Sequence, residues 1–272
     1  MLSARTLPTT VFNKALYDRR RSLPAWGLAI FLLILYIGGF YPVLAENEGL
    51  LQMFENVPAS LRVLVGDIAS LSTAAGFFDI ELFNFFLPFL FAIVTIGQGL
   101  AVVVGEERSG TLDILLANPI SRTRHVLEGA AAIAAEAFFL ALVVVVGVAT
   151  ANALFDLAID MRHTLEAALA LALLATVLGY VALAAGAWLG DYHRALGATI
   201  LFTLASYFIY AYADVSTTLE RLQWLSVFYY YQHNHPILNG LNWGDAAVLI
   251  GVAIGLVALS VVGINRRDLG VA

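Results

Sequence analysis

Cysteine is absent from this 272-residue chain, and lysine occurs once, at Lys14. The first absence removes disulfides, thiolate metal sites and cysteine nucleophiles together. The second excludes a phosphate-binding loop of the Gly-x-x-x-x-Gly-Lys-Ser/Thr kind, because no glycine-rich stretch leads into a lysine. Charge is scarce as well: 12% of residues are charged against 61% hydrophobic, and mean hydropathy is +0.85. A soluble domain carries about a quarter charged residues, so this composition is that of an integral membrane protein. The metalloprotease pattern His-Glu-x-x-His and a Gly-x-Ser-Gly nucleophile turn are both missing, and the long apolar runs hold no histidine. An intramembrane protease is therefore disfavoured.

What is present in abundance is long apolar sequence. About 20 apolar residues cross a bilayer as a helix, and six such runs occur, at about 24–45, 82–105, 129–153, 167–190, 195–213 and 246–265. The third is broken only by Glu136. A seventh stretch, 222–244, lacks charge but holds Gln223, Gln232, His233, Asn234, His235, Pro236, Asn239 and Asn242. It is too polar to cross and is expected to be a re-entrant or interfacial segment. Val43-Leu44-Ala45 resembles a signal cleavage site, but the apolar run and the charged prefix are both too long for a cleaved signal, so a retained first span is expected. The fold class read from this is an all-α membrane protein, residues 1–272 forming a single transmembrane domain.

Orientation follows from the basic residues. With the N-terminus inside, Arg5, Lys14, Arg19, Arg20, Arg21, Arg108, Arg122, Arg124, Arg194, Arg266 and Arg267 are cytoplasmic, and only Arg62, Arg162 and Arg221 are outside. Both termini are then cytoplasmic, in a multi-pass protein of the cytoplasmic membrane; thirteen arginines against one lysine hint at a GC-rich, prokaryotic source. Residues 9–21 read as a basic amphipathic helix, with Phe12, Ala15, Leu16 and Leu23 on one face, lying in the inner interface on anionic lipid. A short helix is expected near 50–65, and a tight hairpin at Asp191-Tyr192-His193-Arg194.

The segment 106–124 is a polar island on the basic side. Within it, Thr111 to Ala117 reads as a short helix entered through Ser109-Gly110 and stopped by Asn118-Pro119. Leu112, Leu115 and Leu116, spaced i, i+3, i+4, give it an apolar face that fits a groove on another protein. With the six spans and the interfacial helix, Glu107, Gly110, Thr111, Asp113, Leu115, Leu116, Pro119, Ser121 and Arg122 make the chain resemble the type-2 ABC transporter permease family. In that family the segment is the coupling helix, which receives motion from an ATPase subunit.

The resemblance implies a membrane subunit of an ATP-driven exporter, not itself an enzyme. It implies two copies of an ABC ATPase subunit as partners, a second permease subunit in a homodimer or heterodimer, membrane lipid as surroundings, and no nucleic acid. No cofactor is expected on this chain, and ATP and Mg belong to the partner ATPase. Docking is expected at Glu106, Glu107, Arg108, Gly110, Thr111, Leu112, Asp113, Leu115, Leu116, Pro119 and Arg122. Asn84, Phe91, Thr95 and Gln98 share one face of span 2, and Thr199, Thr203, Ser206 and Tyr210 one face of span 5. Polar side chains are costly in lipid, so both stripes should meet protein or a water-filled path. The plain reading is helix packing with hydroxyls bonded to their own i−4 carbonyls; the resemblance places these spans beside a translocation path.

Trp224, Phe228, Tyr229, Tyr230 and Tyr231 are expected to pack an external gate. His233 and His235 suit a metal in spacing, but no third ligand is evident and no metal site is expected. Glu136 reads as an interhelical hydrogen bond or a partner of Arg124 or Arg194; its alternative is an ion site. Gly251 with Gly255, and Ala182, Gly186 and Gly190, form small-residue faces for helix packing, and Gly97 and Gly99 allow span 2 to bend. Two alternatives to an exporter stay open: an ion or metal extruder of the same architecture, and a non-transporting membrane anchor for an ATPase.

Overall fold

The computed structural model describes residues 10–46, 71–105 and 121–267, apart from the side chain of Asp214. Its regular structure is helical throughout, with no strand among the described residues. Two helices come first, α1 (Val11–Arg19) and α2 (Ser22–Ala45), followed by α3 (Ala74–Gly105). The long helices α4 (Arg122–Phe155), α5 (Met161–Leu189) and α6 (Tyr192–Ala211) come next. Three short helices, α7 (Thr217–Leu222), α8 (Val227–Gln232) and α9 (Pro236–Asn239), lead into α10 (Trp243–Arg266). Helices α2 to α6 and α10 are long and apolar enough to span a membrane, six in all.

Five of the six expected spans are longer in the structure than apolar composition marks, and α6 is shifted. Helices continue past the apolar run wherever a cap satisfies their first N–H groups. Ser121 accepts from Arg124 N at 3.2 Å, Asp191 from Arg194 N at 2.8 Å, and Asn242 from Gly244 N at 2.9 Å. Asp160 accepts from Arg162 N at 2.7 Å and His163 N at 3.3 Å, and these bonds hold its carboxyl below its ordinary range. The turn between α5 and α6 is Gly190-Asp191, with Gly190 at φ 62°, so Tyr192, His193 and Arg194 are already helical rather than part of a hairpin. The amphipathic segment also divides differently: Leu23 belongs to α2, because the chain turns at Arg20-Arg21. The helix expected near 50–65 lies outside the described residues.

Helix α3 carries two π-helical stretches, Asp79–Phe86 and Ala101–Gly105. Pro88 follows the first, where its ring has no N–H to give and would crowd an ordinary i−4 carbonyl. The segment between α6 and α10 is too short in each piece to cross a bilayer; six residues of helix rise only about 9 Å.

The bundle is built around α5, which contacts α3, α4, α6 and α10. Lipid supplies no hydrophobic drive between helices, so close contact depends on small residues. Alanines 167, 168, 170, 172, 175, 182, 184 and 187 of α5 are all buried. At the tightest crossing Gly99 of α3 meets Gly179 of α5, and a Cβ on Gly99 would overlap the Gly179 carbonyl oxygen. Gly251 and Gly255 differ, since a Cβ on either would meet nothing within 4 Å. Gly99→Ala is therefore expected to lower thermal stability in detergent by about 1–3 kcal/mol, while Gly251→Ala stays within about 0.5 kcal/mol of wild type. Paired melting curves decide it.

Candidate functional site

The six helices leave two ends of different chemistry, a basic end carrying Arg122, Arg194 and Arg266 and an acidic end carrying Asp79, Asp160 and Asp245. At the basic end α3 and α4 emerge on either side of segment 106–120. Glu106, Glu107, Arg108, Gly110, Thr111, Leu112, Asp113, Leu115, Leu116 and Pro119 lie outside the described residues. The points where the chain leaves and returns are fixed. Arg122 Nη1 donates to the carbonyls of Arg267 at 2.8 Å and Ile264 at 3.2 Å, closing the C-terminus of α10. Cations are favoured there by the helix dipole. Asn265 donates to Thr123 Oγ1 at 3.2 Å, and His125 Nε2 lies 2.6 Å from the Val102 carbonyl in the second π stretch of α3. Gly129 allows the close approach of Val102.

Helix α1 lies along α4. Its first two N–H groups, of Val11 and Phe12, donate to Glu128 Oε2 at 2.6 and 3.3 Å, while Arg124 Nε holds Glu128 Oε1 at 2.7 Å. Glu128 is thus a carboxylate at a helix N-terminus, supplied by a different helix. At the other end of α1, Arg19 Nε donates to Gln98 Oε1 at 3.0 Å, and a Cβ on Gly97 would lie 3.3 Å from Arg19 Nη2. Glu136 is fully buried, with no hydrogen-bond partner for either oxygen among the described residues, and it lies in the field of Arg19. Arg19, not Arg124 or Arg194, is the cation whose charge acts on it. Arg124 is instead engaged by Glu128.

Between α3 and α6 a cavity of about 340 Å³ is lined by Phe89, Ile93, Ile96, Gly97, Leu100 and, from α6, Leu196, Ile200, Thr203 and Leu204, with Ala92 and Tyr192 completing it. Of the two stripes singled out in sequence, Thr203 lines this groove. The others meet protein: Thr95 donates to Phe91 O at 3.1 Å and Thr199 to Ala195 O at 2.8 Å, the i−4 bonding anticipated above. Ser206 lies 3.1 Å from Ser226 Oγ and accepts from Val227 N at 3.0 Å, joining α6 to α8. Phe91 is fully buried, and Asn84 and Tyr210 are half-buried.

At the acidic end Asp79, 3% exposed, accepts from Gln232 Nε2 at 2.7 Å and faces His235 Nδ1 at 2.6 Å. His233 stacks on Tyr229 with centroids 4.4 Å apart, and its Nδ1 lies 3.2 Å from Asp245 Oδ2. The two histidines turn to different carboxylates, and no group of three metal-ligating side chains occurs among the described residues. Tyr231 is buried and donates to Phe83 O at 2.7 Å; Phe228 is buried in an aromatic group with Phe89 and Tyr207. Tyr230 donates to Trp224 O at 3.0 Å, Tyr229 packs on Trp224, and Trp224 is 59% exposed.

Six membrane-length helices pack around α5, with α1 lying along α4. The model of the ABC-2 family transporter protein matches residues 9–269. The chain belongs to the ABC-2 transporter family. No individual curated protein matches it in sequence. As an ABC-2 permease it is the membrane subunit of an ABC transporter, a multi-pass membrane protein and not itself the catalytic subunit; permeases of this family generally work with ABC ATPases.

Sequence reading missed Arg19, Glu128, His125 and Asp79 as organising residues of this permease. The expected effect of losing one of them is local. Asp79→Ala leaves the buried Gln232 amide and the His235 ring without their acceptor, at a cost of about 1–3 kcal/mol. Hydrogen exchange should then quicken across residues 227–239 while α5 keeps its protection.

Proposed function

We propose that this permease exports a substrate across the cytoplasmic membrane, driven by ATP hydrolysis on a separate ATPase that docks on segment 106–122. The observation that supports it is where that segment is tethered. One end leaves α3, which is one wall of the groove, and the other enters α4 beside Arg122, whose guanidinium holds the end of α10. In this reading a push on the segment is passed to both α3 and α4.

In this reading Leu112, Leu115 and Leu116 seat the docking helix in the ATPase, and Glu106, Glu107, Arg108 and Asp113 set its register. The basic end is cytoplasmic in this reading, with both termini inside, which the distribution of arginine supports. Two permeases and two ATPases form the working unit, and closure of the ATPases on ATP moves α3 against α6. The groove then faces one side of the membrane at a time, with Phe228, Tyr229, Tyr230, Tyr231 and Trp224 over its outer end. The hydrocarbon lining favours an amphipathic or lipid-like substrate over an ion. An ion extruder of the same architecture draws on one observation, the buried Glu136, and requires Glu136→Gln to abolish transport while complex assembly survives.

Co-expression with an ABC ATPase encoded beside this chain tests docking. The ATPase should co-purify with wild type and be lost with Leu115→Asp/Leu116→Asp, because two carboxylates in an apolar groove cost several kcal/mol. Equal recovery with the double variant would overturn the docking assignment.

A further inference from the structure

The groove between α3 and α6 runs from Phe89 and Leu204 to Leu100 and Tyr192. Along α3 that is about 16 Å of helix, close to the thickness of one leaflet's hydrocarbon, about 15 Å. It lies toward the basic end, because α3 finishes five residues beyond Leu100 and α6 begins at Tyr192. Its wall is hydrocarbon in character. The Thr203 hydroxyl is turned to the Thr199 carbonyl at 2.9 Å, and Ile93, Ile200 and Leu204 are 57%, 44% and 41% exposed. At Gly97 the wall changes: the Arg19 guanidinium lies against it, brought there by α1 and oriented by Gln98. A Cβ at position 97 would lie 3.3 Å from Arg19 Nη2, so the guanidinium borders the groove at one of its lining residues.

An apolar slot one leaflet long, with a cation at its interfacial end, matches one class of molecule. We propose that the groove holds an acyl chain of an anionic lipid from the inner leaflet, and that Arg19 takes its phosphate. Guanidinium suits phosphate through paired, charge-assisted hydrogen bonds. The inner-leaflet placement and the idea that this lipid site lies on the transport path rest on the permease reading above; the binding itself does not. Arg20 sets the contrast. It is exposed and stacked 3.6 Å over the Tyr17 ring, away from the groove. A merely basic helix would attract anionic lipid through Lys14, Arg19, Arg20 and Arg21 alike, whereas a built site singles out Arg19. Glu136 sets the sign of a second effect, since its carboxyl group lies in the field of the same guanidinium and competes with a phosphate for it.

The test is retention of phosphatidylglycerol against phosphatidylcholine of matched chains, read by native mass spectrometry on the full chain purified without ATPase or nucleotide. Wild type should prefer phosphatidylglycerol, and Arg19→Gln should reduce that preference about tenfold. Arg19→Lys keeps most of it, Arg20→Gln and Arg21→Gln leave it unchanged, and Glu136→Gln raises it. Ile200→Trp, which fills the groove, should lower retention of both lipids. Equal losses at Arg19, Arg20 and Arg21 would overturn the site in favour of diffuse attraction. Lipid retention unchanged in Ile200→Trp, with self-association altered, would overturn it in favour of a second copy of this chain seated in the groove. Because no ATPase is present, this experiment can fail while docking succeeds, and the reverse.

Discussion

Helices in lipid gain nothing from hiding apolar surface from one another, so their contacts must come from close packing and from internal satisfaction of polar groups. The meeting of Gly99 and Gly179 answers the first demand, backbone against backbone. It seats α3 on α5, and the alanine-rich surface of α5 then receives α4, α6 and α10 in turn. Where a groove remains, beside Ile93 and Ile200, it exists because α6 leans on α5 and leaves α3 partly uncovered. The groove is a remainder of the packing, not a cavity carved into it.

Polar satisfaction answers the second demand, and it gathers at the two ends. Arg122 closes α10, Glu128 opens α1, His125 reaches α3, and Asp79 holds the segment between α6 and α10. Each bond joins elements distant in sequence, so the ends are cross-braced, and deeper in the bundle Tyr180 donates to the Ala130 carbonyl at 3.0 Å, joining α5 to α4. Glu136 departs from this pattern, a carboxyl group buried without a hydrogen bond among the described residues and acted on by the charge of Arg19. That departure places Arg19 between two claims, one from inside the bundle and one from the groove.

The six spans were legible because an apolar run of bilayer length is a local property, visible one segment at a time. Their ends were less so. Arg122 to Glu128 and Met161 to Glu166 look like loop by charge, yet they are helical because Ser121 and Asp160 cap them. Thr95 and Thr199 make the i−4 bonds that lone hydroxyls in apolar helices are expected to make. Arg19 and Asp79 carried no local mark. Their partners Gln98 and His235 are 79 and 156 residues away, a separation at which a single sequence holds no signal.

Helix α4 has 34 residues, about 51 Å of rise, against a hydrocarbon core of about 30 Å. Tilt takes up part of the difference, and Arg122 to Glu128, about 10 Å of helix, carries α4 past its apolar run at the basic end. A projecting rigid rod is a lever. Helix α1 braces it at Glu128, and a tilt of a few degrees about its midpoint, ~25 Å from the tip, swings that tip sideways by an ångström or two. The opposite arm, toward Phe155, turns the other way inside the bilayer.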